Sequence, residues 1–467
     1  MKKLNTLINE HLESKNIYEE NPRWIIRNSD IGGRGLFANC DIKVGDVIFK
    51  DNPLIIGPRS SMLCPVVCII CYKQIDLNLC SRNCGLYVCS RDCENSLVHQ
   101  QECDLINNWK TENEKTCIDS AMTKCLTPVR SLLLSDNQKE LLKLLISHSG
   151  LQHGFEIDIL KNKLKLDFNS DEEDLMRLTC TVLDANSFEV TVGNEHGRSG
   201  LRGLYPLSSL MNHSCVPNTM HNFDCNQNMI VKATTFIPKG NELFHSYTRF
   251  LWGTPVRRAH LARTKHFICR CARCEDPLEY GSNLSAILCE NCKCVILPVY
   301  TSKMNILWKC NECKHVVTNK KVTVMLRVLG SRLNSFNTAD IDVNEILEFV
   351  NNKLINYLPR INQMSVELKY KLVWILGYDP KYLWNDLSTD LLNEKEKICR
   401  ELLNLLETLR AGRSKMRGLL LYELQCCLRE KQRRKSDKLE MKTLVQEAQE
   451  ILKDDVHAPP EFKSCNG

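Results

Sequence analysis

The sequence predicts an α+β protein: a β-rich unit, interrupted by a metal-dependent module and by helices, then a helical carboxy-terminal region. Three observations predict it. β-prone runs broken by Gly and Pro turns occur near the start (24–27 and 44–48) and again between Tyr205 and Tyr247. Between and after these runs, cysteines fall in closely spaced pairs. From Val322 to Lys453, leucines recur at helical spacing with no chemical motif among them.

A chain of 467 residues has room for several domains. Its formal charge of +6 is mild and does not announce a nucleic-acid binder. The first twenty residues lack the apolar run of a signal peptide. No stretch of about 18 uninterrupted apolar residues occurs, so a membrane span is not expected. The outlier is the 26 cysteines. Without a secretory signal, metal binding accounts for clustered thiols better than disulfides do. Scattered ones such as Cys40, Cys117, Cys180, Cys399, Cys426 and Cys427 read as small core hydrophobes.

In chain order, a polar helix-prone lead precedes the β-prone Trp24-Ile25-Ile26-Arg27 and then Ile31-Gly32-Gly33-Arg34-Gly35-Leu36-Phe37-Ala38. Glycines there permit positive φ and close backbone approach to a ligand. Next come Cys68-x2-Cys71, Cys80-x3-Cys84, Cys89-x3-Cys93 and His99-x3-Cys103: seven thiols and one imidazole, two four-ligand sets of the kind tetrahedral zinc takes. A segment this short buries little, so metal should supply much of its folding energy. Ser135-x-x-Gln138 and Ser170-x-x-Glu173 read as capping boxes, with Gly150 able to close the first helix. The second runs into Asp184-Ala185-Asn186, where Asn186 is either a helix cap or a ligand contact. His196 to Gly200 reads as a flexible turn.

The densest stretch is Asn212-His213-Ser214-Cys215-Val216-Pro217-Asn218, followed by the strand-like Met229 to Thr234, the Pro238-Lys239-Gly240 turn, and Glu242 to Tyr247. A basic helix-like segment leads to Cys269-x-Cys271-x2-Cys274, an incomplete zinc site that invites a fourth ligand. Cys289-x2-Cys292 and Cys310-x2-Cys313 form a further set, with Cys294 competing with Cys292. Leu402, Leu405, Leu406 and Leu409 make one apolar stripe. Leu419, Leu420, Leu424 and Cys427 make another, and Leu444, Ala448, Ile451 and Leu452 a third. The Pro-containing tail after Asp454 is expected to be disordered.

The order G-x-G-L-F-A, cysteine-rich insert, NHSCxPN, strand, turn, G-x-E-L-x-x-S-Y resembles the SET- and MYND-domain (SMYD) protein-lysine methyltransferases, and the appended ribbon looks most like their arthropod, SmydA-like branch. The resemblance implies a β-rich SET fold over 1–63 and 184–250, a MYND finger over 64–104 and a helical insert over 105–183. It continues with a post-SET region and zinc ribbon over 251–320 and a helical, tetratricopeptide-like tail over 321–467; an ordinary helical bundle is the alternative for that tail. It assigns Cys68, Cys71, Cys89 and Cys93 to one zinc, and Cys80, Cys84, His99 and Cys103 to another. Cys215 joins Cys269, Cys271 and Cys274 at a third. Three zinc ions are expected, and a fourth at the ribbon.

The activity implied is methyl transfer from S-adenosylmethionine to a lysine ε-amine of a histone or another protein. Such a displacement needs a neutral, desolvated, in-line amine, which a narrow dry channel supplies. Tyr247 is then the catalytic hydroxyl. Arg34, Asn186, Asn212, His213, Tyr247 and Phe267 are the cofactor contacts, Arg34 at its carboxylate and Phe267 at its adenine. Two departures stand out. Lys265 occupies the place of a second channel tyrosine, with His266 as a substitute wall if the register shifts by one. Ser96 replaces the aromatic with which related fingers grip proline-rich peptides. The alternative function is a non-catalytic zinc scaffold for protein partners, acting through finger and tail. Direct DNA binding is not expected, since the finger offers only Lys73, Arg82 and Arg91. The expected compartment is nucleus, cytoplasm or both.

Overall fold

The computed structural model describes residues 1–60, 65–110, 120–146, 154–190, 200–300, 306–336, 342–432, 439–455 and 458–462. Its β-rich unit is a set of small sheets that join distant parts of the chain. Trp24–Ser29 pairs antiparallel with Gly33–Ala38. Val47–Asp51 pairs with Met229–Ala233, which pairs in turn with Thr219–Phe223. Ile55–Pro58 pairs with Leu201–Leu204, and that strand with Phe188–Val190. Asn212–His213 runs parallel to Phe244–His245. The β-branched and aromatic residues that mark these strands fill one shared core, including Leu36, Phe49, Val190, Tyr205 and Val231. Gly45 (φ +87°) and Gly240 (φ +86°) make the left-handed turns beside the strands.

The cysteine-rich insert and the helices after it share a second core. Cys68, Cys80, Leu86 and Cys103 pack with Leu126, Leu160 and Met176. Arg130 fastens this body, giving its guanidinium to Glu102 (2.7 Å), Tyr72 (2.8 Å) and the Ile69 carbonyl (2.8 Å). The capping box at Ser135 is present, on helix Asp136–Leu144. That helix stops six residues before Gly150, which lies outside the described residues. Helix Ser170–Asn186 begins one residue earlier than its sequence suggests. Asn169 is its cap, in a reciprocal box with Glu172, because an asparagine amide can occupy the cap and leaves Ser170 in the first turn.

The ribbon is a four-stranded antiparallel sheet, Ile287–Leu288, Val295–Tyr300, Ile306–Cys310 and Val316–Thr318. It shares a third core with the carboxy-terminal helices, among them Thr389–Thr408 and Lys415–Gln432. Leu402, Leu405, Leu406, Leu409, Leu420, Leu424 and Cys427 are buried there, and Ala448, Ile451 and Leu452 close the end. Two expectations fail. Pro460–Phe462 forms a turn whose Phe462 ring packs on Tyr422 at 5.3 Å, because a buried aromatic anchors the segment that its proline seemed to leave loose. Cys180, Cys399, Cys426 and Cys427 are buried, but Cys40 is exposed, since it follows the strand end at Ala38 on a surface turn. Cys117 and residues 196–199 of the expected turn lie outside the described residues. No helix among the described residues is long and apolar enough to cross a membrane.

Candidate active site and metal centres

Four sets of ligand atoms converge, each within 4.8 Å: Cys68, Cys71, Cys89 and Cys93; Cys80, Cys84, His99 and Cys103; Cys215, Cys269, Cys271 and Cys274; Cys289, Cys292, Cys310 and Cys313. A zinc tetrahedron with bonds of about 2.3 Å has sulfur–sulfur edges of about 3.8 Å. The edges Cys89–Cys93 (3.7 Å), Cys215–Cys269 (3.9 Å) and Cys292–Cys310 (3.5 Å) match that size, so the donor sets fit the metal. Cys292, not Cys294, is the ribbon ligand. In the finger, His99 Nδ1 contacts the Glu94 carbonyl at 2.5 Å, which leaves Nε2 facing Cys84. Ser96, where the resemblance expects an aromatic for peptide capture, caps the helix that carries His99 by accepting from the His99 N–H. Asn83 at φ +58° sits inside the widened Cys80–Cys84 loop.

The six residues singled out for cofactor contact, Arg34, Asn186, Asn212, His213, Tyr247 and Phe267, all line one cavity of about 300 Å³. The glycine loop is its floor, and close packing explains the glycines. A Cβ on Gly32 would lie 2.3 Å from Asn212 Oδ1, and one on Gly35 would lie 2.2 Å from Glu242 Oε1. Asn212 donates to the Arg34 carbonyl (2.9 Å) and to Glu242 (2.6 Å), clipping the NHSC loop onto that floor. Arg34 pairs with no carboxylate among the described residues, and partial burial lowers its pKa. It is a cation waiting for an anion. Asn186 is the last residue of helix Ser170–Asn186; its amide donates to the Ile146 (2.7 Å) and Val182 (2.8 Å) carbonyls, and it lines the cavity.

A second cavity of about 530 Å³ lies against the first. Ala185, Asn186, Ser209, Tyr247 and Lys265 line both. Tyr247 therefore stands where the two meet. Its hydroxyl donates to the Met211 carbonyl at 2.7 Å, and burial raises its pKa to about 12, so it stays protonated at neutral pH. Phe188, His221 and His245 build an aromatic wall, with His221 and His245 ring centroids 4.9 Å apart. Burial keeps both imidazoles neutral, His221 with a pKa near 4 and His245 well below its usual value. The Thr248 hydroxyl is buried on this wall with no hydrogen-bond partner among the described residues.

Lys265 does not simply point outward. Its ammonium donates to the Ala185 carbonyl (2.6 Å) and the Asp184 carbonyl (3.2 Å) at the end of helix Ser170–Asn186, where carbonyl dipoles favour a cation. It also sits 5.6 Å from the Tyr247 ring centre, and burial lowers its pKa. His266 is not a substitute wall for the channel. At φ +59° it lines the 300 Å³ cavity and not the 530 Å³ one.

Several working contacts, and the arginines behind them, carry no mark in the sequence. His213 accepts the Tyr247 N–H at Nδ1 (2.9 Å), which puts its proton on Nε2, 3.3 Å from Cys215 Sγ. Behind that sulfur, fully buried Arg257 reaches Cys215 Sγ (3.1 Å) and Glu279 (2.8 Å), and Arg273 reaches Glu279 (3.0 Å). Arg257 also reaches Cys274 Sγ (3.4 Å), so one guanidinium faces two of the four sulfurs while Glu279 joins it to Arg273. Asn218 accepts from the Phe244 N–H (2.7 Å) and donates to the Glu242 carbonyl (2.8 Å). Spacing does not announce Arg257, since its partners Cys215, Glu279 and Cys274 lie 17 to 42 residues away.

A model of the SET domain matches residues 33–248. The chain is similar to the SET domain-containing protein SmydA-8, isoform B, of Drosophila melanogaster, with 30% identity over 432 residues, 90% of this chain and 94% of that one. It is also similar to the histone-lysine N-methyltransferase ASHR1 of Arabidopsis thaliana, with 25% identity over 290 residues, 56% of this chain and 58% of that one. A shorter match links it to the protein-lysine N-methyltransferase SMYD4 of Mus musculus, 29% over 133 residues, 26% of this chain and 16% of that one. Fold and site thus define a SET-domain protein. The chain belongs to the SET- and MYND-domain (SMYD) family, in its SmydA-like branch.

Proposed function

We propose that this chain is a protein-lysine N-methyltransferase that uses S-adenosylmethionine, with a lysine of a histone or another protein as acceptor. The observation that carries the reading is the pair of cavities meeting at Tyr247. The first offers an unpaired guanidinium, an amide-clipped glycine floor and the Phe267 ring, the donor set that an amino-acid carboxylate and a purine need. Bound there, S-adenosylmethionine supplies an electrophilic methyl on a sulfonium.

The chain's own residues do the rest. The second cavity dries the acceptor amine, and desolvation favours its neutral form. The buried Tyr247 hydroxyl, fixed by the Met211 carbonyl, keeps a lone pair with which to orient the amine. Among the described residues neither neutral histidine is hydrogen-bonded to a carboxylate, and no strong base is required of them. The zinc set at Cys215 ties the NHSC loop to the segment just after Phe267, so one metal holds two walls of the 300 Å³ cavity. We place the protein in the nucleus or cytoplasm, compartments that keep metal-binding thiols reduced.

The test is transfer of radiolabel from S-adenosylmethionine into a protein extract, followed by amino-acid analysis. Label on methylated lysine is the expected result. No label, together with no cofactor binding by calorimetry, would favour a scaffold that acts through its finger and helical tail.

A further inference from the structure

A third concavity, of about 620 Å³, lies beside the channel. Its walls are helix Thr254–Thr264, ribbon strands Val295–Tyr300 and Ile306–Cys310, and helix Asn319–Ser335. Trp252 and His260, whose rings meet edge to face at 5.3 Å, line this concavity and the 530 Å³ cavity alike, so the two lie side by side. Its floor is apolar: Trp308, Ile306, Val322 and Leu326. Among the described residues no carboxylate lines it.

The cations around it are not equivalent. Arg258 is committed, bonded to Glu275 (2.7 Å) and stacked 4.1 Å from the Tyr300 ring centre. Arg263 and Arg327 are exposed and form no ion pair among the described residues. The Tyr300 hydroxyl is buried there with no hydrogen-bond partner among the described residues. An apolar floor, a rim of two uncommitted guanidiniums and an unused hydroxyl suit an extended polypeptide with acidic residues and one apolar anchor.

We infer that this groove seats the polypeptide flanking the methyl-accepting lysine, and that this flank is acidic. The inference rests on the proposed methyl transfer and adds a substrate class to it. It also gives the ribbon a purpose: the strand carrying Trp308 ends at the zinc-set residue Cys310, so the fourth metal site holds the groove's far wall.

The experiment uses the full zinc-loaded chain and short fluorescein-labelled peptides with a central lysine. One has Asp and Glu flanks with a single Leu, a second has Ser flanks with the same Leu, and a third has Arg flanks. Anisotropy and methyl transfer are both read. The wild type should bind and methylate the acidic peptide best, and the preference should shrink as salt rises. Arg263→Glu/Arg327→Glu should weaken acidic-peptide binding at least about tenfold and improve the Arg-flanked peptide. Zinc content shows that the double variant is folded, and Arg327→Glu alone should fall between. Equal binding of all three peptides, or an unchanged preference in the double variant, overturns the groove. Charge-dependent binding without methyl transfer would sink the methyltransferase reading and leave the groove standing. Transfer with no flank preference would do the reverse.

Discussion

Lys265 and Arg34 are both cations lining the cavities, and their surroundings separate their roles. Arg34 has no carboxylate partner, so Arg34→Met should weaken S-adenosylmethionine binding by about tenfold or more, as charge-assisted bonds to a carboxylate imply. Calorimetry checks this, and equal affinity would remove Arg34 from the cofactor's carboxylate. Lys265 is already satisfied by the Ala185 and Asp184 carbonyls, so its charge is fixed in place beside the channel. A cation there disfavours protonation of an incoming amine. Lys265→Met should therefore shift the ionisation seen in the kcat–pH profile to higher pH, since the bound substrate ammonium loses a like-charged neighbour. An unchanged profile would show that Lys265 does not act on the acceptor. Its identity was plain in the sequence as a misfit. Its satisfied state was not, because the carbonyls that hold it lie 80 and 81 residues away.

At the scale of elements, the NHSC loop ties chemistry to metal. Cys215→Ser should release one zinc equivalent of four and weaken cofactor binding, while the finger's two sets keep theirs; metal analysis beside calorimetry reads both. Unchanged zinc content would break the assignment. Arg257→Gln should destabilise the protein by about 3 kcal/mol, because it leaves Glu279 and the thiolates short of a buried partner. Denaturant unfolding measures it. Much of the metal chemistry was legible: spacing pointed to the clustered cysteines and His99, and the resemblance supplied Cys215, which the structure brings to Cys269, Cys271 and Cys274. What hid was the packing behind them, since Arg257 and Arg273 look in sequence like the polar face of an ordinary helix. Cap positions were legible to within one residue, as Asn169 in place of Ser170 shows. An asparagine beside a serine leaves the choice to the backbone angles.

Across the whole molecule, the sheets pair segments from both sides of the inserted finger and helices, as Val47–Asp51 does with Met229–Ala233. The repeated β-prone runs made the class of fold readable, but pairings across about 180 residues are set by core packing that no local pattern records. The same packing buries His221 and His245 in neutral form. Their folded pKa values lie below the unfolded value, so their contribution to stability is complete above about pH 6.5 and is lost as pH falls toward about 4. The difference in stability between pH 7.5 and pH 5.5 should shrink by about 1 kcal/mol in His221→Phe. An undiminished difference would mean that His221 is not held neutral.

Central to the account is a hydroxyl at the junction of two cavities. The most direct measurement is single-turnover methyl transfer by the wild type beside Tyr247→Phe, with S-adenosylmethionine affinity measured on both. The wild type should transfer the methyl group, and Tyr247→Phe should lose roughly 100-fold in rate with nearly equal cofactor affinity. Equal transfer rates would contradict this expectation.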